Sequence, residues 1–257
     1  MPPGLEVPYG HIDTIFLDVG NTLISIDFDW IAAELTARGF ACAPAALRRA
    51  EAAARPGYSR RLFVDGVEAG TNLFHTYLTT MFERLDVTAS LPSSNLQDLV
   101  TELRPVLRPD GRASVLWRAV MPQVPEALAR MRGRGLTLVV VSNSDGTAER
   151  SLEAAGLRSY LSFVIDSALV GYEKPDARIF EHALRQSGAR PEHTLHVGDL
   201  YHADVTGARA AGIHALLLDP YDDWTGTDCD RAPDLWAVAE KFSGLTSSSS
   251  PDPAAPR

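Results

Sequence analysis

Ile15-Phe16-Leu17-Asp18-Val19-Gly20-Asn21-Thr22-Leu23 is the stretch from which the fold follows. Three large apolar residues run into a carboxylate and then a glycine turn. That is the pattern of a buried strand delivering Asp18 to the C-terminal edge of a sheet. In an open α/β sheet this edge is where ligands bind. A lone buried carboxylate is costly, so a charge there needs a cation, a partner or a chemical task.

Outward from that strand the chain divides in two. After about residue 120, strand-like runs at 136–141, 163–165, 194–197 and 214–218 alternate with helical segments at 125–132, 147–155, 176–187 and 203–211. Such alternation marks a parallel sheet wrapped by helices. Val139-Val140-Val141 has the β-branched, wholly apolar character of a strand buried on both faces. Residues 28–115 differ: they are Ala-rich and helical in pattern, with no strong strand. The expected architecture is a Rossmann-like, doubly wound α/β core formed by residues 1–27 and 116–245. A helical domain over 28–115 is inserted between the first and second core strands. Residues 246–257 are Ser-, Pro- and Ala-rich and are expected to be a disordered tail.

Composition narrows the possible partners. The 257 residues are 45% hydrophobic and 22% charged, enough for a substantial core. A net charge of −9 argues against nucleic acid or anionic membrane as a partner. Cys42 and Cys229 are isolated, without metal-type spacing, which suits a reducing cytoplasmic setting. Met1-Pro2-Pro3-Gly4 has no signal-peptide pattern, and no apolar run approaches the ~20 residues of a membrane helix. The expected state is a cytoplasmic monomer or homodimer.

Four segments carry polar groups at or beside predicted strand ends: Asp18; Ser142-Asn143 after Val141; Lys174 in Gly171-Tyr172-Glu173-Lys174-Pro175; and Gly198-Asp199-Leu200-Tyr201-His202-Ala203-Asp204 after Val197. In parallel strands of one sheet they would converge on one crevice. Asp18, Asp199 and Asp204 are hard oxygen donors that would repel one another without a cation. Mg2+ suits such a site, since it accepts one or two carboxylates, waters and phosphate oxygens. Lys174 would neutralise Asp18 and a bound phosphoryl group. Ser142, Asn143 and the N–H groups after Ser142 would hydrogen-bond phosphate oxygens of a small phosphorylated substrate. Asp18 would attack phosphorus to give an aspartyl phosphate.

These four segments, in this order, resemble the haloacid dehalogenase (HAD) superfamily, in the subfamily with a helical cap between its first and second motifs. The most specific parts are Glu173-Lys174-Pro175-Asp176-Ala177-Arg178-Ile179-Phe180, His196-Val197-Gly198-Asp199 with Asp204, and Gly207-Ala208-Arg209-Ala210-Ala211-Gly212. The resemblance implies Asp18 as nucleophile, Ser142 as phosphate binder and Lys174 as charge stabiliser. Asp18, Asp199 and Asp204 would be the metal acids, with the backbone carbonyl of Gly20 as a further ligand.

The departure is Gly20. Phosphatases of the family carry an aspartate two residues after the nucleophile as general acid and base, a role worth about 10²–10⁴-fold. Three outcomes follow: a phosphatase with good leaving groups or a borrowed acid, a move to C–halogen or C–P chemistry, or ligand binding without turnover. The only lysines are Lys174 and Lys241, so the inserted helices offer none for the Schiff base of phosphonatases. Dehalogenases differ in the fourth segment and usually carry an aromatic residue in place of Gly20. The retained Asp199 and Asp204 therefore favour phosphoryl chemistry. His202 reads as a solvent-facing residue of a first helical turn before it reads as a surrogate acid. Arg48, Arg49, Arg55, Arg60 and Arg61, opposed only by Glu51, read as a solvated basic face that could draw in an anion.

Overall fold

The computed structural model describes residues 6–68, 71–109 and 115–243. The expected tail and the first four residues lie outside them. Among the described residues the strands are β1 (Thr14–Leu17), β2 (Ile24–Ile26), β3 (Trp117–Val120), β4 (Thr137–Ser142), β5 (Phe163–Asp166), β6 (Thr194–Gly198), β7 (His214–Leu218) and β8 (Asp230–Ala232). The α-helices are α1 (Phe28–Ala37), α2 (Pro44–Arg60), α3 (Leu73–Phe82), α4 (Asp86–Ala89), α5 (Ser93–Leu107) and α6 (Val124–Gly133). They continue with α7 (Ala148–Ala154), α8 (Ser167–Val170), α9 (Ala177–Ser187), α10 (Thr206–Ala210) and α11 (Leu235–Lys241).

Six strands form one parallel sheet in the order β5-β4-β1-β6-β7-β8. The chain leaves β1 for β4 on one side and crosses back to β6 on the other. The C-terminal ends of β4, β1 and β6 therefore surround a topological switch point, where such sheets bind ligands. Strand alternation sorts the core into two faces. Ile15, Leu17, Leu138, Val140, Leu195 and Val197 pack against α6 and α11. Phe16, Val139, Val141, Ala215 and Leu217 pack against α9 and α10. Ile15, Phe16 and Leu17 are fully buried. At about 1.5–3 kcal/mol for each such side chain, they fix where the next residue, Asp18, must stand.

Helices α1 to α5, between β2 and β3, have a hydrophobic cluster of their own, built on Ile31, Leu35, Leu78, Phe82, Val100 and Leu103. Among the described residues no strand lies within 28–115, but two short ones flank it. Ile24–Ile26 and Trp117–Val120 pair antiparallel as a two-stranded ribbon, at the points where the chain enters and leaves these helices. Each run is too short to announce itself in sequence. The helix expected at 203–211 is preceded by a π-helical turn, Tyr201–Val205, with regular α-helix only over α10.

Candidate functional site

Asp18 follows β1, Ser142 ends β4 and Asp199 follows β6. Together with Lys174 and Asp204 they line one cavity of about 560 Å³. Lys174 Nζ donates to Asp18 Oδ1 at 2.6 Å and to Asp204 Oδ1 at 2.6 Å. Asp204 Oδ1 also lies 3.0 Å from His196 Nε2, and its Oδ2 accepts from the Leu200 N–H at 2.9 Å. All four side chains are almost wholly buried. Burial works to lower the Lys174 ammonium, but Asp18 and Asp204 overcome it and raise its pKa. Burial works to raise Asp204, but Lys174 and His196 hold it below the ordinary carboxylate range.

This arrangement requires Gly198, because a Cβ there would overlap the Asp204 carboxylate. Asn143 positions the lysine: its side chain donates to the Lys174 carbonyl at 2.9 Å and accepts from the Lys174 N–H at 2.7 Å. The amide expected to face a phosphate thus grips the Lys174 backbone instead. Three of the N–H groups after Ser142 are similarly engaged. Ser144 N–H goes to Ser167 Oγ, while those of Gly146 and Ala148 go to the Asp166 carboxylate.

Asp199 faces a different set of groups. Its Oδ2 accepts from Asn21 Nδ2 at 3.1 Å and lies 3.4 Å from Arg55 Nε. Burial pushes the Asp199 carboxyl up to about 8; Arg55 opposes the rise, and the charges of Asp18 and Asp204 add to it. Asn21 Nδ2 also donates to Glu51 Oε1 at 2.9 Å, and Arg55 closes on Glu51 through Nε and Nη2 at 2.9 and 2.6 Å. Tyr77 Oη donates to Glu51 Oε1 at 3.1 Å. Glu51 and Arg55 are only 1% and 6% exposed. They are not part of a solvated basic face, although Arg49 is, pairing with Asp223 at the surface. Their spacing was the available signal. Leu47, Glu51 and Arg55 stand at i, i+4 and i+8, so an apolar position and both charges share one face of α2.

The three expected metal acids, Asp18, Asp199 and Asp204, divide between two sets of partners. Among the described residues no set of three or more His, Cys, Asp or Glu is arranged to hold an ion. Asp204 belongs to the Lys174 side of the site and Asp199 to the Asn21 and Arg55 side. What remains for a hard cation is Asp18, Asp199 and the Gly20 carbonyl, which matches the one or two carboxylates that magnesium takes. Two observations favour such a cation. Four carboxylates (Asp18, Glu51, Asp199 and Asp204) face two cations, Lys174 and Arg55. In addition Asn21 Oδ1 is a buried acceptor with no donor among the described residues. His202 does not line the cavity; its Nδ1 pairs with Ser59 Oγ at 3.0 Å.

The space beside Gly20 is filled. A Cβ there would stand 3.1 Å from the Trp117 ring of β3.

Among the described residues no helix is long and apolar enough to cross a membrane. A family model described as haloacid dehalogenase-like hydrolase matches residues 12–212. The haloacid dehalogenase-like hydrolase domain-containing protein 3 of Bos taurus is 43% identical over 99 residues, which is 38% of this chain and 39% of that protein. A phosphoserine phosphatase of Thermus thermophilus is 43% identical over 118 residues, 44% of this chain and 47% of its own. The matched stretches thus span less than half of these relatives. The HAD-hydrolase YfnB of Bacillus subtilis, solved bound to magnesium, superposes with a TM-score of 0.60 at 16% identity, covering 90% of this chain and 98% of that one. At that identity the likeness shows the fold alone.

Proposed function

We propose that this chain, which belongs to the haloacid dehalogenase-like hydrolase family, is a magnesium-dependent phosphatase acting on a small phosphorylated molecule through an aspartyl phosphate on Asp18. The observation that carries this reading is the buried Asp18–Lys174–Asp204 cluster at the floor of the cavity. A carboxylate held by a lysine at the end of a core strand is a nucleophile with a fixed direction of attack. The resemblance of part of the chain to a protein named phosphoserine phosphatase agrees with phosphoryl chemistry.

Each residue has a task in this mechanism. Asp18 attacks phosphorus. Lys174 offsets charge on Asp18 and on the phosphoryl oxygens, and the protein interior makes that attraction stronger than in water. Asp204 and His196 hold Lys174 in place from below, and Asn143 holds its backbone. Ser142 binds a phosphoryl oxygen. Asp18, Asp199 and the Gly20 carbonyl would hold magnesium, which when bound neutralises the phosphoryl group. The helices over 28–107, acting as a cap, exclude water through Glu51, Arg55 and Tyr77, with Trp117 of β3 beside them.

The test is phosphate release from p-nitrophenyl phosphate and a panel of phosphorylated metabolites, with magnesium and with EDTA. Release that needs magnesium and is lost in Asp18→Asn supports the reading. Full activity in chelator, together with halide release from a 2-haloacid, would replace it with dehalogenation.

A further inference from the structure

We propose that the substrate is an aryl phosphate, a phosphate monoester whose leaving oxygen is of the phenol class; this deepens, and rests on, the phosphatase reading above. The cavity has two unlike ends. Around Asp18 its groups are charged, but one wall away from Asp18 is largely hydrocarbon, carried by Tyr58, Phe63, Phe74, Tyr77, Trp117 and Ile24. Three of these rings form a continuous run: Tyr58 meets Tyr77 edge-on at 5.4 Å between centroids, and Tyr77 meets Trp117 at 6.1 Å. Tyr77, the middle ring, is anchored by its hydroxyl on Glu51. A planar ring entering beside it gains edge and offset contacts as well as burial. A cavity of about 560 Å³ accommodates a phosphorylated ring. Of the charges on this side, Glu51 and Arg55 are paired with each other, while Arg108 stands over the Phe74 ring at 5.6 Å and pairs with Asp145 at 3.4 Å, so each already has a partner other than the hydroxyls of a sugar.

The second observation is independent of the wall. The Trp117 ring stands against Gly20, two residues beyond the attacking carboxylate. A side chain at this position would therefore have to displace the Trp117 ring before it could hand a proton to the leaving oxygen. Glu51 accepts from Asn21, Arg55 and Tyr77, and His202 is outside the cavity lining. A phenol-class oxygen needs no proton in order to leave. An Asp18 oxygen bonds to phosphorus, the P–O(aryl) bond breaks, and the electron pair departs on the aryl oxygen, which takes its proton from water. Water then adds to phosphorus and the P–O(Asp18) bond breaks, returning its electron pair to the carboxylate. One proton of that water stays on the phosphate and the other enters solvent.

The experiment compares phenyl phosphate with cyclohexyl phosphate, two six-membered rings of similar size, using the full chain with magnesium and following both phosphate release and phosphorylation of Asp18. The expected result is a kcat/KM for phenyl phosphate at least about 10²-fold higher, the gap that an absent general acid leaves exposed. In Phe63→Ala, KM for phenyl phosphate should rise about 3- to 10-fold as an aromatic contact is lost, with inhibition by inorganic phosphate unmoved. Comparable kcat/KM for the two rings would overturn the inference and leave the phosphatase reading standing. So would a Phe63→Ala shift equal for phenyl phosphate and inorganic phosphate. No phosphate from either ester and no label on Asp18 would overturn both.

Discussion

The floor and the roof of the cavity are both charged and both buried, yet they are built differently. The floor takes Asp18, Asp199 and Ser142 from the ends of neighbouring parallel strands, whose register fixes their spacing. The roof takes Glu51 and Arg55 from successive turns of one helix, and their place depends on how α2 docks. Asn21 joins the two, donating to Glu51 above and to Asp199 below. The difference teaches that a site can be half specified by local motifs and half by the packing of a separate helical layer. The first half carries the reacting groups, and the second decides what reaches them.

The largest effect should come from the floor. Asp18→Asn is expected to lower phosphate release by at least about 10⁴-fold, on the scale seen when a catalytic nucleophile is removed. The melting temperature should change little. A variant that keeps its rate would show that the floor is not the reacting wall.

Next comes the roof. Arg55→Ala leaves Glu51 and Asp199 buried without their shared cation, and breaking a buried pair from one side costs about 3–5 kcal/mol. Urea unfolding measures this directly. A loss under about 1 kcal/mol would mean that the pair behaves like a surface contact and that α2 does not hold the roof closed.

A third substitution probes the contact between the two layers. Gly20→Asp should cost about 1–3 kcal/mol, because its side chain meets the Trp117 ring and the packing must give way. Adding Trp117→Ala should recover part of that loss, with a coupling of about 0.5–3 kcal/mol in a double-mutant cycle. Turnover of an alkyl phosphate should rise in the double variant and not in Gly20→Asp alone. Additive behaviour would separate Trp117 from Gly20.

The last test concerns pH. Without divalent cation the folded Asp199 carboxyl keeps its proton up to about pH 8, whereas the unfolded chain loses it at an ordinary carboxyl value. The folded state then binds more protons, so the melting temperature should fall as pH rises from about 5 to 8. Magnesium should restore more of it at the upper end than at the lower. A melting temperature that is flat with pH and indifferent to magnesium would remove Asp199 from the metal site.

Much of this molecule is legible in its sequence. Ile15 to Leu17 and Val139 to Val141 announce central strands, because a strand buried on both faces is apolar throughout, and Leu195 to Val197 does so with His196 as its one exception. Asp18, Ser142 and Asp199 stand out because polar residues at the ends of such strands have few structural uses, and Lys174 and Asp204 stand out through the motifs around them. His196 carried a signal that went unused: it is a polar residue facing the core inside a buried strand, and it proves to hold Asp204. Strands β2 and β8 were not legible. Three residues carry no usable period, and their pairing partners lie elsewhere in the chain.

The sequence by itself determined the parallel core, the carboxylate at the end of its first strand and the absence of a side chain at Gly20. Those follow from local pattern, since burial and strand period act residue by residue. Only the tertiary structure decided that Asp204 serves Lys174 while Asp199 faces Arg55, that Asn143 grips a backbone, and that Trp117 fills the space beside Gly20. Each of those depends on distance between segments far apart in the chain. Such distances are set by how the helical layer and the sheet pack together, which no local run of residues encodes.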